Sequence, residues 1–239
     1  MDADNGLSNS SQQMLAGIAH ELKTPLTLIS GLSSELQSQR LNPEQFLQYV
    51  QRIQFSSDRL LGLVDTILRG YELEQDMLDL RLEPINPLVV MEEVAQELLP
   101  HARKQAQLVA ITSKHKQTLL ADKGCLHAVL FNLLDNAIKY SQPETTIELE
   151  ARLRRGQAQL VVKDYGHGIK RTDLKKLFSQ FGRVQRPVPQ WASTTGLGLY
   201  VAKQLTEAMS GSLELTRRRD GTSFLINLPL STQLNLFEV

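Results

Sequence analysis

A chain of 239 residues is long enough for one large domain or two modest ones, and we expect two. Acidic and basic residues balance at 26 each, so no net field favours nucleic acid or an anionic membrane surface. The single cysteine, Cys125, excludes an internal disulfide and a cysteine-cluster metal site, and we expect it to pack within a helix.

The first predicted elements are two amphipathic helices, which follow a polar segment at 1–9 that we expect to be a flexible tail. Apolar residues recur at alternating spacings of three and four, which is a heptad pattern. The first series is Leu15, Ile18, Leu22, Pro25, Ile29, Leu32 and Leu36; the second is Phe46, Val50, Ile53, Ser57, Leu60, Val64, Ile67 and Tyr71. Between them, NPEQ offers an N-cap asparagine, a proline at the first helical position and a glutamate in the first turn.

Two such helices joined by a short loop form an antiparallel hairpin, which we place at 10–72. One hairpin has too little partner surface to cover both heptad series. We therefore expect two copies to pair as a homodimeric four-helix bundle.

The second half of the chain predicts a different architecture. A linker at 73–86 leads into a domain at 87–232, and a tail follows at 233–239. We expect helices over 87–105, over 123–140 and just after Gly196; strands near 107–112 and 117–121, in TTIELEARL and QAQLVVKDY, and in a hairpin closed on Asp220-Gly221. Helices interleaved with antiparallel strands indicate an α+β two-layer sandwich.

His20 has an unusual setting within the first helix, in the stretch AGIAHELKTPLTLISG. It falls at heptad position f, farthest from the apolar seam, and is expected to face solvent. Glu21 is adjacent, and Thr24 lies one turn further along the same face. Pro25 cannot donate a backbone hydrogen bond and should bend the helix one turn after His20.

Two interpretations of this setting are open. His20 is either an ordinary surface histidine near a tolerated proline, or a nucleophile whose unprotonated nitrogen is available near neutral pH. An HExxH zinc site is excluded, because Thr24 occupies the place of the second histidine.

HELKTPL on a heptad hairpin resembles the phosphoacceptor box of bacterial sensor histidine kinases. The resemblance implies that His20 takes the γ-phosphoryl group of ATP and that Glu21 assists as a base. It also implies that Thr24 orients water when the same bundle dephosphorylates a partner response regulator.

LFNLLDNAIKYS places two asparagines at helical i, i+4 spacing. A helix with a polar face is the simpler interpretation, but amide oxygens also suit Mg²⁺ and a lysine one turn on suits a phosphate. The stretch resembles the family's N box, with Asp135 among its nucleotide-binding positions. That implies Asn136 as the Mg²⁺ ligand, Asn132 in support, Lys139 as a phosphate contact and Tyr140 as a wall near the base.

VVKDYGHGI ends a predicted strand in Asp164, which Gly166 and Gly168 follow. Glycines let the chain turn sharply and approach a ligand closely. The string resembles the family's G1 box, which implies that Asp164 accepts a hydrogen bond from the adenine amino group.

KKLFSQFGRV carries Phe178 and Phe181 at a spacing of three, which is also typical of simple core packing. It resembles the F box, which packs under a mobile lid, here GRVQRPVPQWASTT. Trp191 in this lid is either a structural tether or a cover for the nucleotide.

TTGLGLYVAKQL opens a helix with Gly196 and Gly198, and helix N-terminal amides can hold phosphate oxygens. It resembles the G2 box, with Thr195 and Leu197 among the nucleotide-binding positions. The family commonly has a glycine where this chain has Thr194, a departure that puts a fast kinase in doubt.

The resemblance covers about residues 10–232 and implies the catalytic core of a sensor histidine kinase, with a histidine kinase/Hsp90-like ATPase fold. It implies ATP and Mg²⁺ as cofactors, and a homodimer and a response regulator as partners; no basic stripe suggests nucleic acid. With no membrane segment or signal peptide in the sequence, we expect a cytoplasmic chain, alone or as part of a longer membrane-bound sensor. Two alternatives stay open: a dimeric scaffold that binds nucleotide without transferring phosphate, and a chaperone or topoisomerase relative of the same sandwich fold.

Overall fold

The computed structural model describes residues 3–38, 41–74, 79–113, 118–179, 182, 196–218 and 220–231. The predicted tail at 233–239 lies outside these residues. The chain divides into two compact units, Met1–Glu72 and Leu73–Val239. None of the helices in the described ranges combines the length and the apolar character that a bilayer crossing requires.

The first unit consists of two long helices, α1 (Ala3–Ser38) and α2 (Pro43–Glu74). A capping box starts α2: Asn42 Oδ1 accepts the N–H of Gln45 at 2.8 Å, and Gln45 Oε1 accepts the N–H of Asn42 at 3.2 Å. The predicted N-cap is thus confirmed, and Gln45 adds the reciprocal bond.

The two helices meet near the loop that joins them. The hydroxyl of Tyr49, in the second turn of α2, is hydrogen-bonded to Glu35 in the last turn of α1, and this bond raises the pKa of Tyr49. A contact between the end of one helix and the start of the next is what an antiparallel hairpin requires.

Helix α1 differs from its prediction at its start. It begins at Ala3, inside the segment at 1–9 that the sequence predicted to be a flexible tail. Once a helix exists, each added residue gains a hydrogen bond without a new nucleation cost, so even a polar segment can extend it. The helix also continues without a break through Pro25, whose ring is buried.

The apolar seam of α2 also differs from the prediction. The buried and half-buried positions include a series with spacings of four and three, namely Tyr49, Ile53, Ser56, Leu60, Leu63, Ile67 and Gly70, with Phe55 and Ser57 beside it. The predicted series shares Ile53, Ser57, Leu60 and Ile67 with these half-buried positions. Its other members, Phe46, Val50, Val64 and Tyr71, are exposed. Together with Leu61 and Leu68, they form a second face, which we call the exposed α2 stripe. Two neighbouring heptad series can share residues, so spacing alone does not tell which one packs inside the hairpin.

The second unit alternates helices and strands in the predicted order. Its elements are β1 (Glu83–Ile85), α3 (Pro87–Lys104), β2 (Leu108–Ser113), β3 (Leu119–Ala121), α4 (Lys123–Tyr140), β4 (Thr146–Arg154), β5 (Gln157–Asp164), a 3₁₀ turn (Arg171–Asp173), α5 (Leu174–Leu177), α6 (Gly198–Ala208), β6 (Ser212–Arg218) and β7 (Gly221–Leu228).

Side-chain caps explain why two of these helices begin where the sequence predicted. Asn86 Oδ1 accepts the N–H of Leu88 at 3.1 Å at the start of α3. Asp122 Oδ1 accepts the N–H of Cys125 at 2.8 Å at the start of α4, and its Oδ2 accepts that of Arg81 at 3.1 Å. Burial raises the pKa of Asp122, but these hydrogen bonds outweigh burial and leave the pKa below its ordinary value. Cys125 is buried in α4, as expected.

The main sheet has the strand order β2-β4-β5-β7-β6, while β1 and β3 form a separate pair. The neighbours in the main sheet are antiparallel, as expected, except at one edge, where β2 and β4 are parallel. The chain between β2 and β4 passes through α4, and such a crossover returns a strand in the parallel sense.

One face of this sheet and the helices α3, α4 and α6 enclose the hydrophobic core. Leu126 and Leu133 of α4 are fully buried there, together with Leu149, Leu160 and Ile226 of the sheet. A helical hairpin followed by an α+β two-layer sandwich is the predicted fold class, which is confirmed.

Candidate functional site

The polar face predicted on α4 is half-buried against the rest of the second unit. Lys139 Nζ forms an ion pair with Asp135 Oδ2, and the two side chains are only 15% and 17% exposed. The charge of Lys139 is therefore balanced within the helix. A phosphate contact by this lysine requires its ammonium group to share or leave that pair.

Asn132 lies where α4 meets the start of α6. Its Nδ2 donates to the carbonyl of Ala128 at 2.9 Å, which orients the amide. A Cβ on Gly198 would lie 2.5 Å from Asn132 Oδ1, so any larger residue there would displace the Asn132 amide. Gly196, two residues earlier, has a φ of 71°. The structure therefore brings together the two segments that the sequence assigned to the metal and to the triphosphate.

Asp164 ends β5 and is 5% exposed. Its Oδ1 accepts two backbone hydrogen bonds, from Gly166 N at 3.0 Å and from Thr222 N at 3.1 Å. Thr222 lies directly opposite Asp164 in the pairing of β5 with β7. A Cβ on Gly221 would lie 2.0 Å from the Asp164 carbonyl oxygen, so glycine permits this close approach. The orientation of the carboxylate is thus fixed by the main chain.

The loop after Asp164 contacts the end of α4. Ser141 and Gly166 form an isolated antiparallel bridge, and Ser141 Oγ accepts the N–H of Tyr165 at 3.3 Å. A Cβ on Gly166 would lie 2.2 Å from the carbonyl oxygen of Tyr140, the last residue of α4. The predicted N-box and G1-box residues therefore lie side by side.

The Thr222 hydroxyl, which is buried beside Asp164, bears on whether a nucleotide base fits here. Thr222 is 1% exposed, and within the described part of the chain its Oγ1 has no hydrogen-bond partner. A buried hydroxyl without a partner costs free energy, which a polar ligand or a water molecule can recover. Asp164 and Thr222 together therefore fit the polar edge of an adenine.

Tyr165 connects the loop after Asp164 to the opposite face of the sheet through its side-chain hydroxyl. Its hydroxyl donates to Glu148 of β4, whose carboxylate also accepts from Lys163 Nζ at 2.7 and 2.9 Å. The hydrogen bond to Glu148, together with burial and the charges of Glu148 and Asp220, raises the pKa of Tyr165 to about 12. The residue after Asp164 is therefore held from both sides.

Phe178 lies at the far side of this site. Its ring contacts Phe224 edge-to-face at 6.5 Å, and Lys203 Nζ lies 5.9 Å from its centre. Phe224 is two residues after Thr222 in β7 and so shares its face of the strand. The other residues predicted for this part, Phe181, Trp191, Thr194 and Thr195, lie outside the described residues, as does nearly all of the predicted lid.

The predicted phosphoacceptor belongs to the first unit. His20 and Glu21 lie within α1, but their side chains are outside the described part of the structure, so the solvent-facing position of His20 stays a prediction. Thr24 is exposed one turn later.

Sequence reasoning missed Gly221, Thr222 and Ser141. The pair Asp220-Gly221 was interpreted only as a hairpin turn. The strand that starts at this turn, β7, can however also pair with β5, the strand that carries Asp164. The signal was present, but the register that sets Thr222 opposite Asp164 depends on tertiary pairing.

Two family profiles match the chain in the order of its two units. Residues 10–75 match the His Kinase A (phospho-acceptor) domain, and residues 121–232 match the histidine kinase-, DNA gyrase B-, and HSP90-like ATPase. Together they account for most of the chain, and they define a protein with a phosphoacceptor hairpin followed by an ATPase fold.

Individual relatives agree with this assignment. The chain is 32% identical to the sensor histidine kinase GacS of Pseudomonas protegens over 231 residues, which is 93% of this chain and 25% of that protein. ShkA, crystallised with AMPPNP, superposes with a TM-score of 0.66 at 26% identity over 92% of this chain and 46% of its own. ThkA in complex with the response regulator protein TrrA superposes with a TM-score of 0.66 at 22% identity over 92% and 62%.

The chain belongs to the sensor histidine kinases, a family of ATP-dependent kinases, and comprises the two domains of their catalytic core. It spans about a quarter of the length of GacS. The phosphoacceptor match rules against a chaperone or topoisomerase relative.

Proposed function

We propose that this chain transfers the γ-phosphoryl group of Mg-ATP to His20 and then to an aspartate of a response regulator. The observation that carries the proposal is the buried Asp164 carboxylate. It is fixed by two backbone donors beside the end of the asparagine helix, in an ATPase fold that follows a phosphoacceptor hairpin. We retain 10–72 and 87–232 as the two functional domains.

The adenine site is proposed to use Asp164 and Thr222. We assign the Asp164 carboxylate, which two backbone N–H groups orient, to the adenine amino group. The complex of ShkA with AMPPNP supports nucleotide binding by a protein of this fold. Gly196 and the start of α6 would hold phosphate oxygens through backbone N–H groups and the helix dipole.

Magnesium fits the amide oxygens of Asn136 and Asn132, because Mg²⁺ prefers hard oxygen ligands. Asn132 is oriented by its bond to Ala128, and both asparagines lie on the same face of α4. When bound, the ion would neutralise charge on the triphosphate.

In the proposed first step, an unprotonated imidazole nitrogen of His20 forms a bond to the γ-phosphorus. The bond from that phosphorus to the β–γ bridging oxygen breaks, and ADP leaves with the electron pair. The imidazole proton passes to Glu21. In the second step, a carboxylate oxygen of the regulator attacks the same phosphorus and the phosphorus–nitrogen bond breaks. Because the reaction consumes ATP, we place the chain in the cytoplasm.

Two partners follow from this function. The exposed α2 stripe supports a second copy of the chain, because a hairpin with a second apolar face needs another helix pair to cover it. The exposed surface of α1 after His20, where Leu26 and Thr27 lie, supports docking of a receiver domain near the phosphoacceptor. The ThkA–TrrA complex is a precedent for such a partner within this fold.

The test is incubation of the purified chain with Mg²⁺ and γ-labelled ATP, beside His20→Gln and Asp164→Asn. Label that survives alkali, is lost in acid and is absent from both variants supports the proposal. Binding of nucleotide without label on the parent would favour the non-transferring scaffold, and Thr194 would be the first position to examine.

We also propose that the chain dephosphorylates its response regulator. Thr24 is exposed one turn after His20, where a hydroxyl can orient water towards a docked phosphoaspartate. Thr24→Ala should retain phosphorylation of His20 and lose regulator dephosphorylation. Equal dephosphorylation by parent and variant would contradict this activity.

A further inference from the structure

A buried glutamine lies against the end of the nucleotide helix α4. Gln107, at the turn between α3 and β2, is 3% exposed. Its Nε2 donates towards three carbonyl oxygens, those of Ile138 at 3.2 Å, Gln142 at 3.2 Å and Ser141 at 3.5 Å. The last carbonyls of a helix have no partner within the helix, so this side chain supplies a cap from a distant part of the sequence.

The amide oxygen of Gln107 does not contribute a comparable hydrogen bond among the described residues. Gln107 Oε1 is buried, and no hydrogen-bond partner for it is present in the described ranges. A leucine of similar volume would avoid the cost of burying that oxygen. The donor half of the amide is therefore what this position uses.

The segment that Gln107 holds is the one that contacts the adenine-binding loop. Within it, the carbonyl of Tyr140 lies against Gly166, Ser141 bridges to Gly166, and Gln142 N donates to the carbonyl of Tyr165 at 3.5 Å. A shift of this segment would therefore move the loop whose Gly166 N–H orients Asp164.

We propose that Gln107 is a positioning residue for the nucleotide, which acts by fixing the end of α4 against the Asp164 loop. The inference rests on the proposed ATP binding. We expect Gln107 to affect nucleotide affinity and not the rate of phosphoryl transfer. The reason is that Gln107 lies at the base end of the site and not beside the start of α6, where phosphate is proposed to bind.

The experiment compares two buried glutamines of the second unit, Gln107 just before β2 and Gln159 within β5. Gln159 is 5% exposed on β5, donates to Asn227 Oδ1 at 2.6 Å and accepts from Arg152 Nε at 2.9 Å. It lies five residues before Asp164, which is roughly 17 Å along an extended strand. Gln159→Leu is therefore a matched control for Gln107→Leu.

The measurements are the Kd for Mg-AMPPNP by calorimetry, the KM for ATP and the saturating rate of His20 labelling, and Tm. We expect Gln107→Leu to raise Kd and KM by about tenfold, as for the loss of one well-placed hydrogen-bonding group, and to leave the saturating rate unchanged. Gln159→Leu should lower Tm and leave Kd and KM at the parent values.

Gln107→Glu separates hydrogen-bond donation from shape. A carboxylate has the same outline but cannot donate until it is protonated, so nucleotide affinity of this variant should recover as pH falls, while that of Gln107→Leu should not. Should Gln107→Leu fail to fold, Gln107→Met takes its place with the same expectation.

Unchanged nucleotide affinity in a folded Gln107→Leu, or an equal loss in Gln159→Leu, would overturn the inference. Binding without His20 labelling in the parent would contradict the proposed transfer while leaving the role of Gln107 measurable. A parent that binds no Mg-AMPPNP would overturn both.

Discussion

The two units of this chain bury their apolar residues in opposite ways. In the ATP-binding unit, side chains such as Leu126, Leu133 and Ile226 are fully enclosed between one sheet and its helices. In the hairpin, Leu32 and Leu63 are buried, while a second apolar face, the exposed α2 stripe, stays open. The first unit thus leaves an apolar face open for the second copy that we propose, whereas the core of the second unit is enclosed by its own sheet and helices.

The strongest way to break this comparison is to charge the exposed α2 stripe. Val64→Asp combined with Leu68→Asp should raise the dimer Kd by about a thousandfold or more, because two carboxylates would enter an apolar interface. Sedimentation equilibrium measures the effect. Gln51→Asp, at an exposed position away from both apolar faces of α2, is the control and should leave the dimer intact. A dimer that survives the double change would show that the stripe is not its interface.

A core truncation in each unit sharpens the comparison. Leu133→Ala should cost about 2–5 kcal/mol of unfolding free energy in the ATP-binding unit, at any protein concentration. Leu63→Ala in the hairpin should give a midpoint that rises with protein concentration, since folding there is linked to pairing. Urea unfolding at two concentrations distinguishes them. A concentration-independent midpoint for Leu63→Ala would mean that the hairpin is stable alone.

Glycines respond differently in the two units. Gly31 lies on an exposed part of α1, and a Cβ added there would have no neighbour within 4 Å, so Gly31→Ala should stabilise the hairpin by about 0.5–1 kcal/mol. Gly166→Ala would place Cβ 2.2 Å from the Tyr140 carbonyl. It should cost about 1–3 kcal/mol and weaken nucleotide binding, as calorimetry and thermal unfolding would measure. Equal nucleotide affinity in parent and Gly166→Ala would contradict the tight contact.

The smallest expected effect is on the acid stability of the ATP-binding unit. Burial lowers the pKa of His101 below its ordinary 6.5, the charge of Asp135 opposes this, and Lys104 and Lys139 reinforce it. The folded state therefore binds this proton less readily than the unfolded chain. The stabilisation is complete above 6.5 and is lost as pH falls from there towards the folded pKa. Urea unfolding between about pH 7 and about pH 5 should show a shallower loss for His101→Gln than for the parent. Identical slopes would rule out this contribution.

The sequence predicted the helices α3 and α4 well because their starts are local. The caps Asn86 and Asp122 each lie directly before an apolar period, and α3 also has a proline at its first position. The order of the motifs was predictable for the same reason.

What the sequence could not provide depends on contacts between distant segments. Thr222 orients Asp164 only because β7 pairs with β5 in one register, and Gln107 reaches the end of α4 from another element. The two apolar faces of α2 share residues, so a heptad count could not separate them. Pairing, register and side-chain reach are set by the whole fold.

The anchoring of Asp164 has a consequence for how this site can vary over evolution. Two backbone N–H groups, of Gly166 and Thr222, donate to its Oδ1. A substitution at position 222 can change the hydroxyl beside the proposed adenine site without removing the backbone donor, which only proline would delete. The orientation of the carboxylate therefore depends on the pairing of β5 with β7 and not on neighbouring side chains. Single substitutions around it can change nucleotide affinity while that orientation is kept.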